Sequence, residues 1–374
     1  MPGIKDAVPV YENAPVRSIE TDHSLDIERL HSGKPILKPN PVNHWESKVV
    51  LNPGVVLVKD LELLEAMMGD WNVTEAQKQE IRAANGAAVM LYRAQGEVEK
   101  AKGIAPSYTG LAVFTPDLKM IWRKETPVIS PDASFHNLGV EDGRCSFIDG
   151  KFYFLYTGYF YDKESDSNRV QICLGITENF IDWDLRGPVK GDINDVDNKN
   201  SVLFPEKINN KWVMLHRPMQ GPNPKAIHWA TADAIDGRWK SQGMLMASYR
   251  FKEFRESWIG AGGPPISIGD GKFLTIYHQG HFFPNNDREY NLSATIIEFL
   301  NTEAPKIHRR LEPLMRPTGA DEQEGDKNLG VDNVLFTCAN YIHNGNLIIP
   351  YAGADSRIFG AKLNLNELVH KLEL

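Results

Sequence analysis

The chain has 374 residues, of which 42% are hydrophobic and 24% charged, the composition of an ordinary globular protein with enough apolar material for a sizeable core. Its net charge of −8, with no stretch dense in Lys and Arg, argues against nucleic acid as a partner, and no stretch approaches the roughly 18 apolar residues of a membrane span. The three cysteines, Cys145, Cys173 and Cys338, are too few for a disulfide framework, and no secretion signal is recognisable, so we expect buried thiols, a cytoplasmic location and a small ligand.

Residues 1–45 are rich in Pro, Asn and charge, and their prolines interrupt regular structure because each fixes φ and lacks an N–H donor. This composition predicts an extended N-terminal arm, of the kind that closes a ring of sheets or reaches a neighbouring subunit. The remaining residues, 46–374, are predicted to form one catalytic domain, whose first sheet opens with a strand at Val55–Val58.

Two segments have a helical rather than an alternating pattern. The first, Thr74–Asn85, has Thr74 and Gln77 at capping-box spacing and ends before Gly86, which predicts a short inserted helix. The second, Leu365–Leu372, has the amphipathic spacing of a helix that packs on the rest of the protein. Three polar segments are predicted to be exposed loops: Val98–Pro106, Tyr161–Asn168 and Asp192–Lys199.

An internal repeat is the strongest fold signal. A Gly or Asn turn is followed by an apolar run that ends in Tyr or His, and the turns lie at Gly150, Asn210, Gly271 and Gly345, with spacings of 60, 61 and 74 residues. Ala87–Arg93 is a fifth copy without its turn. Between the copies lies a second recurring hairpin, which consists of an apolar strand, a polar turn and a tryptophan: Trp122, Trp183 and Trp239.

Two hairpins in each period give four antiparallel strands, and this unit repeated about every 60 residues is typical of the blades of a β-propeller. Five copies therefore predict an all-β, five-bladed β-propeller with a short inserted helix and a C-terminal helix. A two-sheet sandwich is the main alternative, but sandwiches seldom show self-similarity at this period.

Charged and polar residues recur beside these repeats, where a propeller brings equivalent positions together around its axis. Glu141, Asp142 and Arg144 lie on a segment that otherwise reads as a buried strand, and such charges need a reason. A purely structural interpretation pairs Arg144 with Glu141 and satisfies individual residues within their own blades. The residues expected to converge are Arg93, Asp142, Arg144, Glu206, Lys207, His216, Arg217, His278 and Asp355.

Eight short elements occur in the order found in glycoside hydrolase family 130, the β-mannoside phosphorylases and related mannosidases, which the chain resembles from about residue 30 to 374. No element is decisive alone, but the ordered set is specific. The elements are Asn52-Pro53-Gly54, Leu91-Tyr92-Arg93-Ala94, Gly139-Val140-Glu141-Asp142-Gly143-Arg144, Phe204-Pro205-Glu206-Lys207, His216-Arg217-Pro218, Ile259-Gly260-Ala261-Gly262, Ile276-Tyr277-His278 and Tyr351-Ala352-Gly353-Ala354-Asp355.

The resemblance implies a five-bladed propeller, in agreement with the repeat count, and phosphorolysis of a β-mannoside with inversion to α-mannose 1-phosphate. It implies that Asp142 donates the proton, through the 3-hydroxyl of the sugar, and that Asp355 binds the cleaved mannosyl unit. The implied phosphate ligands are Arg93, Arg169, Lys207 and His278, and the implied substrate contacts are Asn52, Glu141, Arg144, His216, Arg217, Tyr277 and Asp355. Arg and Lys suit phosphate through planar forks and compact charges, respectively. Arg169 also fits the alternative of a solvated Arg at a strand edge.

One position departs from the family pattern: Gly143 stands where a proline usually follows the aspartate, and we expect it to loosen the backbone beside the acid. Two other functions stay open from the sequence, a mannoside hydrolase of the same family and a non-catalytic carbohydrate-binding propeller. The expected partners are a small oligosaccharide and inorganic phosphate as co-substrate, with no cofactor, metal, nucleic acid or membrane. The acceptor sugar (mannose, glucose or N-acetylglucosamine) and the oligomeric state are not specified, although the arm and the inserted helix offer surfaces for self-association.

Overall fold

The computed structural model describes residues 16–21, 24–300 and 304–374, and its strands form five curled blades arranged in a ring, a five-bladed β-propeller. The predicted fold class is therefore confirmed. Part of the predicted N-terminal arm, residues 1–15 and 22–23, lies outside the described residues. Two short strands belong to the rest of that arm: β1 (Val16–Arg17) and β2 (Glu28–Arg29).

Each blade is built mainly from four antiparallel strands. Blade 1 comprises β3 (Val49–Val58), β4 (Ala87–Gln95), β5 (Ser107–Phe114) and β6 (Met120–Arg123). Blade 2 comprises β7 (Gly139–Ile148), β8 (Lys151–Asp162), β9 (Ser167–Thr177) and β10 (Asp184–Pro188). Blade 3 comprises β11 (Lys190–Gly191), β12 (Asn198–Leu203), β13 (Trp212–Pro218), β14 (Ile227–Ala232) and β15 (Arg238–Met246).

The last two blades carry extra short strands. The strand β16 (Arg250–Phe251) precedes blade 4 and pairs with β1. Blade 4 comprises β17 (Glu256–Ala261), β18 (Ile266–Gly269), β19 (Lys272–Phe282), β20 (Arg288–Glu298), β21 (Lys306–Ile307) and β22 (Leu311–Met315). Blade 5 comprises β23 (Leu335–Phe336), β24 (Tyr341–His343), β25 (Asn346–Gly353) and β26 (Arg357–Asn364).

The five copies of the sequence repeat form the second long strand of each blade: β4, β8, β13, β19 and β25. The turns that precede four of them place two successive residues at positive φ, as a tight hairpin requires; in blade 2 Asp149 has φ 48° and Gly150 φ 79°. Asn, Asp and Gly tolerate this conformation best, which is why the turns were legible in the sequence.

Hydrophobic clusters lie between neighbouring blades, because the two faces of a strand point to different neighbours. In β8, Phe154 belongs to the cluster between blades 1 and 2, whereas the adjacent Leu155 belongs to the cluster between blades 2 and 3. Tyr277, Tyr351 and Tyr92 belong to the clusters between blades 3 and 4, 4 and 5, and 5 and 1, respectively. Each blade is thus stabilised by burial against both neighbours.

The N-terminal arm completes the ring. The strand β2 pairs antiparallel with β26, with Glu28 opposite Lys362 and Arg29 opposite Ala361, so that the outermost strand of the C-terminal blade comes from the beginning of the chain. Arg29 also forms an ion pair with the buried Glu322, at 2.7 Å between Nε and Oε1. The arm therefore supplies part of the last blade as well as crossing the surface.

The inserted segment after β3 contains two helices, α1 (Leu61–Asp70) and α2 (Glu75–Ala83). The helix α2 confirms the predicted one, with Thr74 and Gln77 forming a complete capping box, whereas α1, capped by Asp60, was not predicted. A short α3 (Ala320–Gln323) precedes blade 5, and the predicted C-terminal helix is α4 (Leu365–Glu373). Among the described residues no helix is both long and apolar enough to cross a membrane.

One irregularity recurs in the first strands of blades 1, 2 and 3. The pairing of β3, β7 and β12 with the following strand shifts register at a bulge, and each bulge contains a residue in the left-handed conformation. These residues are Asn52 (φ 51°), Asp142 (φ 52°) and Asn200 (φ 54°). Bulges re-aim side chains and are common beside active sites, and these three direct polar groups to one end of the propeller.

Candidate active site

The side chain of Asp142, in blade 2, is held by two groups from blade 1. The Asn52 Nδ2 of blade 1 donates a hydrogen bond to Asp142 Oδ1 at 2.6 Å, and Arg93 Nη1 lies 3.3 Å from the same oxygen. Burial alone would raise the pKa of Asp142, but the guanidinium groups of Arg93 and Arg144 together with the Asn52 hydrogen bond outweigh it, so that the pKa lies below its usual value. In the free protein this group is a carboxylate at neutral pH.

Arg93 is itself fixed by its neighbours. Its Nη2 lies 2.8 Å from Glu141 Oε1, and its Nε donates to Ser107 Oγ at 2.9 Å. The Ser107 hydroxyl in turn donates to Glu141 Oε1 at 2.9 Å. This closed set of contacts orients the guanidinium towards both acidic residues of the Glu141-Asp142 pair.

Arg144 lies beneath Asp142 and is only 2% exposed. Its guanidinium donates to the backbone carbonyls of Asp142, Ala261 and Gly262, the last two in blade 4, at 2.9 Å to Ala261 and 3.1 Å to Gly262. The structural interpretation that paired Arg144 with Glu141 is therefore wrong, because Glu141 pairs with Arg93. Arg144 links the backbone carrying the aspartate to the opposite side of the ring.

Two cations of blade 3 face Asp142, and the imidazole of His278 from blade 4 lies beside them. Lys199 of β12 lies opposite Arg217 of β13 in the strand register, and Arg217 Nη1 donates to His278 Nε2 at 3.3 Å. Burial and the neighbouring Arg217 lower the pKa of Lys199, although Glu141 and Asp142 act in the opposite direction. Burial lowers the pKa of Arg217 to about 10. These shifts show crowded positive charge that a bound anion would relieve.

His278 is fully buried, and its ring lies 4.3 Å from that of Phe336 of blade 5. Burial and the charges of Arg217, Arg144 and Lys199 hold the pKa of His278 well below its ordinary value. The imidazole is therefore neutral at pH 7 in the free protein, and an anion placed among the same cations would favour its protonation.

Asp355 reaches the site from the turn between β25 and β26, where it has φ 47°. Burial, reinforced by the negative charges of Asp142 and Glu141, raises its pKa to about 7 despite the opposing charges of Arg93 and Arg288. The two aspartates thus differ in their protonation: Asp142 is kept ionised, while Asp355 is close to half-protonated at neutral pH.

Several buried polar atoms around the site have no hydrogen-bond partner among the described residues: Asn52 Oδ1, Asn200 Oδ1 and Arg217 Nε. Buried polar atoms are rarely left unsatisfied, so their concentration here indicates that a polar ligand belongs in this space. The backbone of Gly260 also lies against these polar groups. A Cβ on Gly260 would be 2.6 Å from His278 Nε2 and 2.7 Å from Asn200 Oδ1, so only glycine fits beside them.

The expected convergence therefore holds for a subset of the predicted residues. The structure brings together Asn52, Arg93, Glu141, Asp142, Arg144, Arg217, His278 and Asp355. Five predicted residues lie elsewhere: Arg169, Glu206, Lys207, His216 and Tyr277.

Arg169 lies at the start of β9, where its Nε donates to Asp197 Oδ1 at 2.6 Å and its Nη1 lies 3.9 Å from Asp162. Asp197 immediately precedes Asn198 and Lys199, so Arg169 is tied to the segment that carries the lysine rather than to Asp142. Its location at a strand edge matches the alternative weighed for it, although its guanidinium is paired.

Lys207 is exposed in the turn between β12 and β13, with its Nζ 5.8 Å from the Trp212 ring. Glu206 is beside it and accepts a hydrogen bond from Ser267. This turn follows β12, whereas Asp142 lies near the beginning of β7, so Lys207 and the aspartate are at opposite ends of the propeller. The expectation that Lys207 converges with His278 is corrected by this placement; the lysine that lies near Asp142 and Arg217 is Lys199.

Strand alternation explains the other two displacements. His216 points away from Arg217 and receives a hydrogen bond from Asn198 Nδ2 at 2.9 Å; burial lowers its pKa to about 3. Tyr277 points away from His278 and donates its hydroxyl to Glu312, which also pairs with Arg310. Both expected substrate contacts thus face the spaces between blades instead of the site.

We expected Gly143 to loosen the backbone beside Asp142, but the structure shows a tightly packed segment there. A Cβ at this position would lie 1.9 Å from Cζ of Phe154, so the aromatic ring already fills the space that a side chain would take. The same segment is pinned by Arg144 through the Asp142 carbonyl. Gly143 and Phe154 are therefore a matched pair that holds the bulge in place.

Sequence reasoning missed Lys199, Asn200 and Ser107. Lys199 was assigned to the exposed loop Asp192–Lys199, but β12 begins at Asn198, and only Asp192–Asn194 forms a separate 3-10 turn. A signal was available: Asn200 occupies in blade 3 the bulge position that Asn52 and Asp142 occupy in blades 1 and 2. Aligning the first strands of the blades, rather than only the second, would have found it.

Comparison with known proteins agrees with this geometry. Residues 78–374 match the family model described as beta-1,4-mannooligosaccharide phosphorylase. A 1,2-beta-oligomannan phosphorylase of Thermoanaerobacter sp. strain X514 is 32% identical over 349 residues, which cover 92% of this chain and 99% of the relative. A beta-1,2-mannobiose phosphorylase of the same organism is 30% identical, covering 87% and 94% of the two chains.

A solved structure supports the fold. The beta-1,2-mannobiose phosphorylase of Listeria innocua, in complex with beta-1,2-mannobiose, superposes with a TM-score of 0.71 at 20% identity and covers 93% of this chain and 99% of its own. The ordered motifs, the family model and the full-length relatives agree. The chain belongs to glycoside hydrolase family 130, the family of the β-mannoside phosphorylases and related mannosidases.

Proposed function

We propose that this enzyme, a glycoside phosphorylase by its family relationships, cleaves a β-mannoside with inorganic phosphate and inverts the anomeric centre to give α-mannose 1-phosphate. The supporting observation is that one potential proton donor, Asp142, and a set of crowded cations share one end of the propeller. Phosphorolysis needs both, because an acid must protonate the leaving oxygen while phosphate is presented to the opposite face of the sugar.

In this proposal Arg93, Lys199, Arg217 and His278 hold the phosphate. Lys199 is destabilised as a cation by burial and by Arg217, and Arg217 by burial and by Arg144, which favours the arrival of an anion beside them. A neutral His278 adds a hydrogen-bonding ring that gains a proton more readily once the anion is present. Lys199 takes the place that the family resemblance had given to Lys207.

Asp142 must be protonated to act as the acid, and its ionised state in the free protein is consistent with a requirement for phosphate. An incoming phosphate neutralises the cations that stabilise the carboxylate, which raises the pKa of Asp142. The proton then passes to the glycosidic oxygen, through the 3-hydroxyl as the family resemblance implies. The C1–O bond breaks while a phosphate oxygen bonds to C1.

Hydrolysis is a second candidate because of Asp355. A carboxyl group with a pKa of about 7 is suited to activate water as a general base. The cationic group made by Lys199 and Arg217 favours phosphorolysis, because water needs no such charge. In the phosphorylase reaction Asp355 instead binds hydroxyl groups of the mannosyl unit.

Product analysis with and without phosphate tests the proposal. The protein is incubated with β-1,2- and β-1,4-linked mannobiose, with mannosyl-glucose and with mannosyl-N-acetylglucosamine, and the products are separated by anion-exchange chromatography. We expect mannose 1-phosphate only when phosphate is present. Free mannose formed without phosphate would show a hydrolase, and no turnover of any mannoside would favour a carbohydrate-binding protein.

A further inference from the structure

A cavity of about 440 Å³ lies on the axis of the propeller, at the end opposite Asp142. Because β3 and β7 begin at the Asp142 end, their later residues lie towards the opposite end, where the β12–β13 turn is also found. Every blade contributes to the lining, and one residue of each, in blade order, is Val55, Ser146, Pro205, Pro265 and Ile342. The cavity takes no part in the reaction described above.

The side chain of Arg144 separates this cavity from the candidate active site. Its guanidinium donates to the carbonyl of Asp142 and, across the ring, to the carbonyls of Ala261 and Gly262, so it spans the channel between blades 2 and 4. The pairing of β7 with β8 is regular from Arg144 onward, and residues two apart in a strand share a face. Ser146 therefore also faces the axis, on the side of Arg144 that is remote from Asp142.

The wall formed by blades 4 and 5 is held by close contacts. Asn340 is 6% exposed, and its Nδ2 donates to the Pro264 carbonyl at 2.9 Å. A Cβ on Gly263 would lie 2.6 Å from the backbone nitrogen of Asn340, so the two segments touch. Because a carbonyl only accepts, this bond fixes the orientation of the amide, and Asn340 Oδ1 is left as an acceptor with no partner among the described residues. The wall is thus preformed and contains one unsatisfied acceptor.

Most of the remaining lining is apolar. Leu57, Phe147 and Ile266 contribute side chains to it, and Phe147 is 45% exposed. An exposed aromatic ring beside a concave apolar surface is typical of a place where a ligand packs. The volume also lies within the range of small-molecule sites, so we expect a compact, largely apolar ligand.

Lys59 supplies the charge of the cavity. It is the charged residue among those described that line it, and its side chain is exposed. It takes part in none of the ion pairs among the described residues. An apolar cavity with one unpaired cation complements a ligand with an apolar body and a single negative charge. A sugar phosphate is poorly suited, because its hydroxyl groups would face apolar walls without partners.

We propose that this cavity binds a small aromatic carboxylic acid that carries a hydrogen-bond donor on its ring. The carboxylate pairs with Lys59, the ring packs against Phe147, and the donor satisfies Asn340 Oδ1. The site goes beyond the proposed function and does not depend on it, since binding at this end of the channel requires no turnover at Asp142.

Two probes of equal size test the charge of the ligand: indole-3-acetate and its neutral analogue indole-3-acetamide. Each is titrated into the full-length protein and followed by ligand-observed NMR. For the wild type we expect a Kd of about 0.1–1 mM for indole-3-acetate and about tenfold weaker binding of the amide. Lys59→Met keeps the length of the side chain but removes its charge, so the ratio of the two affinities should fall to about one. Ser146→Phe fills the cavity and should weaken the binding of both probes.

Lys207→Met is the matched control, because Lys207 is an exposed lysine at the same end of the propeller but is not among the residues that line the cavity. It should keep the wild-type ratio. Absence of indole-3-acetate binding, equal affinity of the wild type for both probes, or a ratio unchanged in Lys59→Met would overturn the proposal. If Ser146→Phe does not fold by circular dichroism, Lys59→Met alone decides the result.

The cations near Asp142 are the other place that attracts a carboxylate, and Lys199→Gln distinguishes the two sites. Binding of indole-3-acetate that is weakened in Lys199→Gln but not in Lys59→Met would place the anion in the candidate active site and overturn the proposal. Binding weakened only in Lys59→Met would support it, whether or not the protein forms mannose 1-phosphate. Turnover of mannosides with phosphate is assayed separately and decides the proposed reaction alone.

Discussion

The hydrogen bond from Asn52 to Asp142 makes a quantitative prediction about the pH dependence of catalysis. Substituting Asn52 by glycine removes the donor while keeping the backbone, because glycine adopts the positive φ of 51° at no steric cost. Hydrogen bonds to charged groups contribute about 1.5–3 kcal/mol. Since one pKa unit corresponds to about 1.4 kcal/mol, the loss should raise the pKa of Asp142 by roughly one to two units.

The sign follows from the role of the group. Asp142 acts in its protonated form, so a higher pKa keeps the acid active at higher pH, and the descending limb of kcat should move upward. The limb is measured at saturating phosphate and mannoside, where it reports the acid in the ternary complex. Arg93, 3.3 Å from the same oxygen, remains in the variant and limits the shift.

A matched control is Asn209→Gly, which makes the same change at positive φ (50°) in the exposed β12–β13 turn. Its pH profile should coincide with that of the wild type. If Asn52→Gly raises KM for the mannoside but leaves the descending limb in place, Asn52 acts by holding the sugar, and our assignment of its effect on Asp142 is wrong.

Three further predictions concern the cations, the bulge and Asp355. Lys199→Gln should raise KM for phosphate in steady-state assays by about 10- to 100-fold, since it removes one charge-assisted hydrogen bond. Lys207→Gln should leave this KM unchanged. A larger increase of KM in Lys207→Gln than in Lys199→Gln would show that Lys207, and not Lys199, belongs to the site. Gly143→Ala should lower the free energy of unfolding, measured by urea titration, by about 1–3 kcal/mol because its Cβ meets Phe154. Adding Phe154→Leu should recover part of this loss. An unchanged midpoint of urea unfolding in Gly143→Ala would contradict the packing. Because the pKa of Asp355 is raised to about 7, the native state holds a proton between about pH 4 and 7 that the unfolded chain releases, and stability falls as the pH rises through this window. The variant Asp355→Asn should therefore increase Tm more at pH 8 than at pH 5. An equal increase at both pH values would refute the raised pKa.

The propeller could be predicted because the residues of its tight turns recur once in each of four blades. Pairs such as Asp149-Gly150 adopt positive φ in the turns before four of the five second strands, so few residue types fit and the repeat stands out. The helix α1 was not separated from β3, although two charged residues, Lys59 and Asp60, interrupt the apolar run between the strand and the helix. Asp60 as its cap was the signal that distinguishes them.

The candidate site was predictable to the extent that it follows the second strands. Arg93, Arg217 and His278 come at or after the apolar runs and meet in space, whereas Lys207 precedes its turn and so falls at the other end. Lys199 depends on a bulge in a first strand, which adds a residue to one strand and breaks the alternation by which faces are assigned. The alternation of polar and apolar residues along the sequence does not show where a bulge inserts an extra residue.

The pairing of β2 with β26 has a consequence for how the protein is made. Blade 5 needs β2, which precedes the other four blades in the chain, and β26, which follows them, so the ring stays open until blade 5 has been synthesised. Until then the early blades present uncovered faces and unpaired edges, which favour association with other chains. The nascent protein is therefore expected to depend on chaperones until its two ends meet.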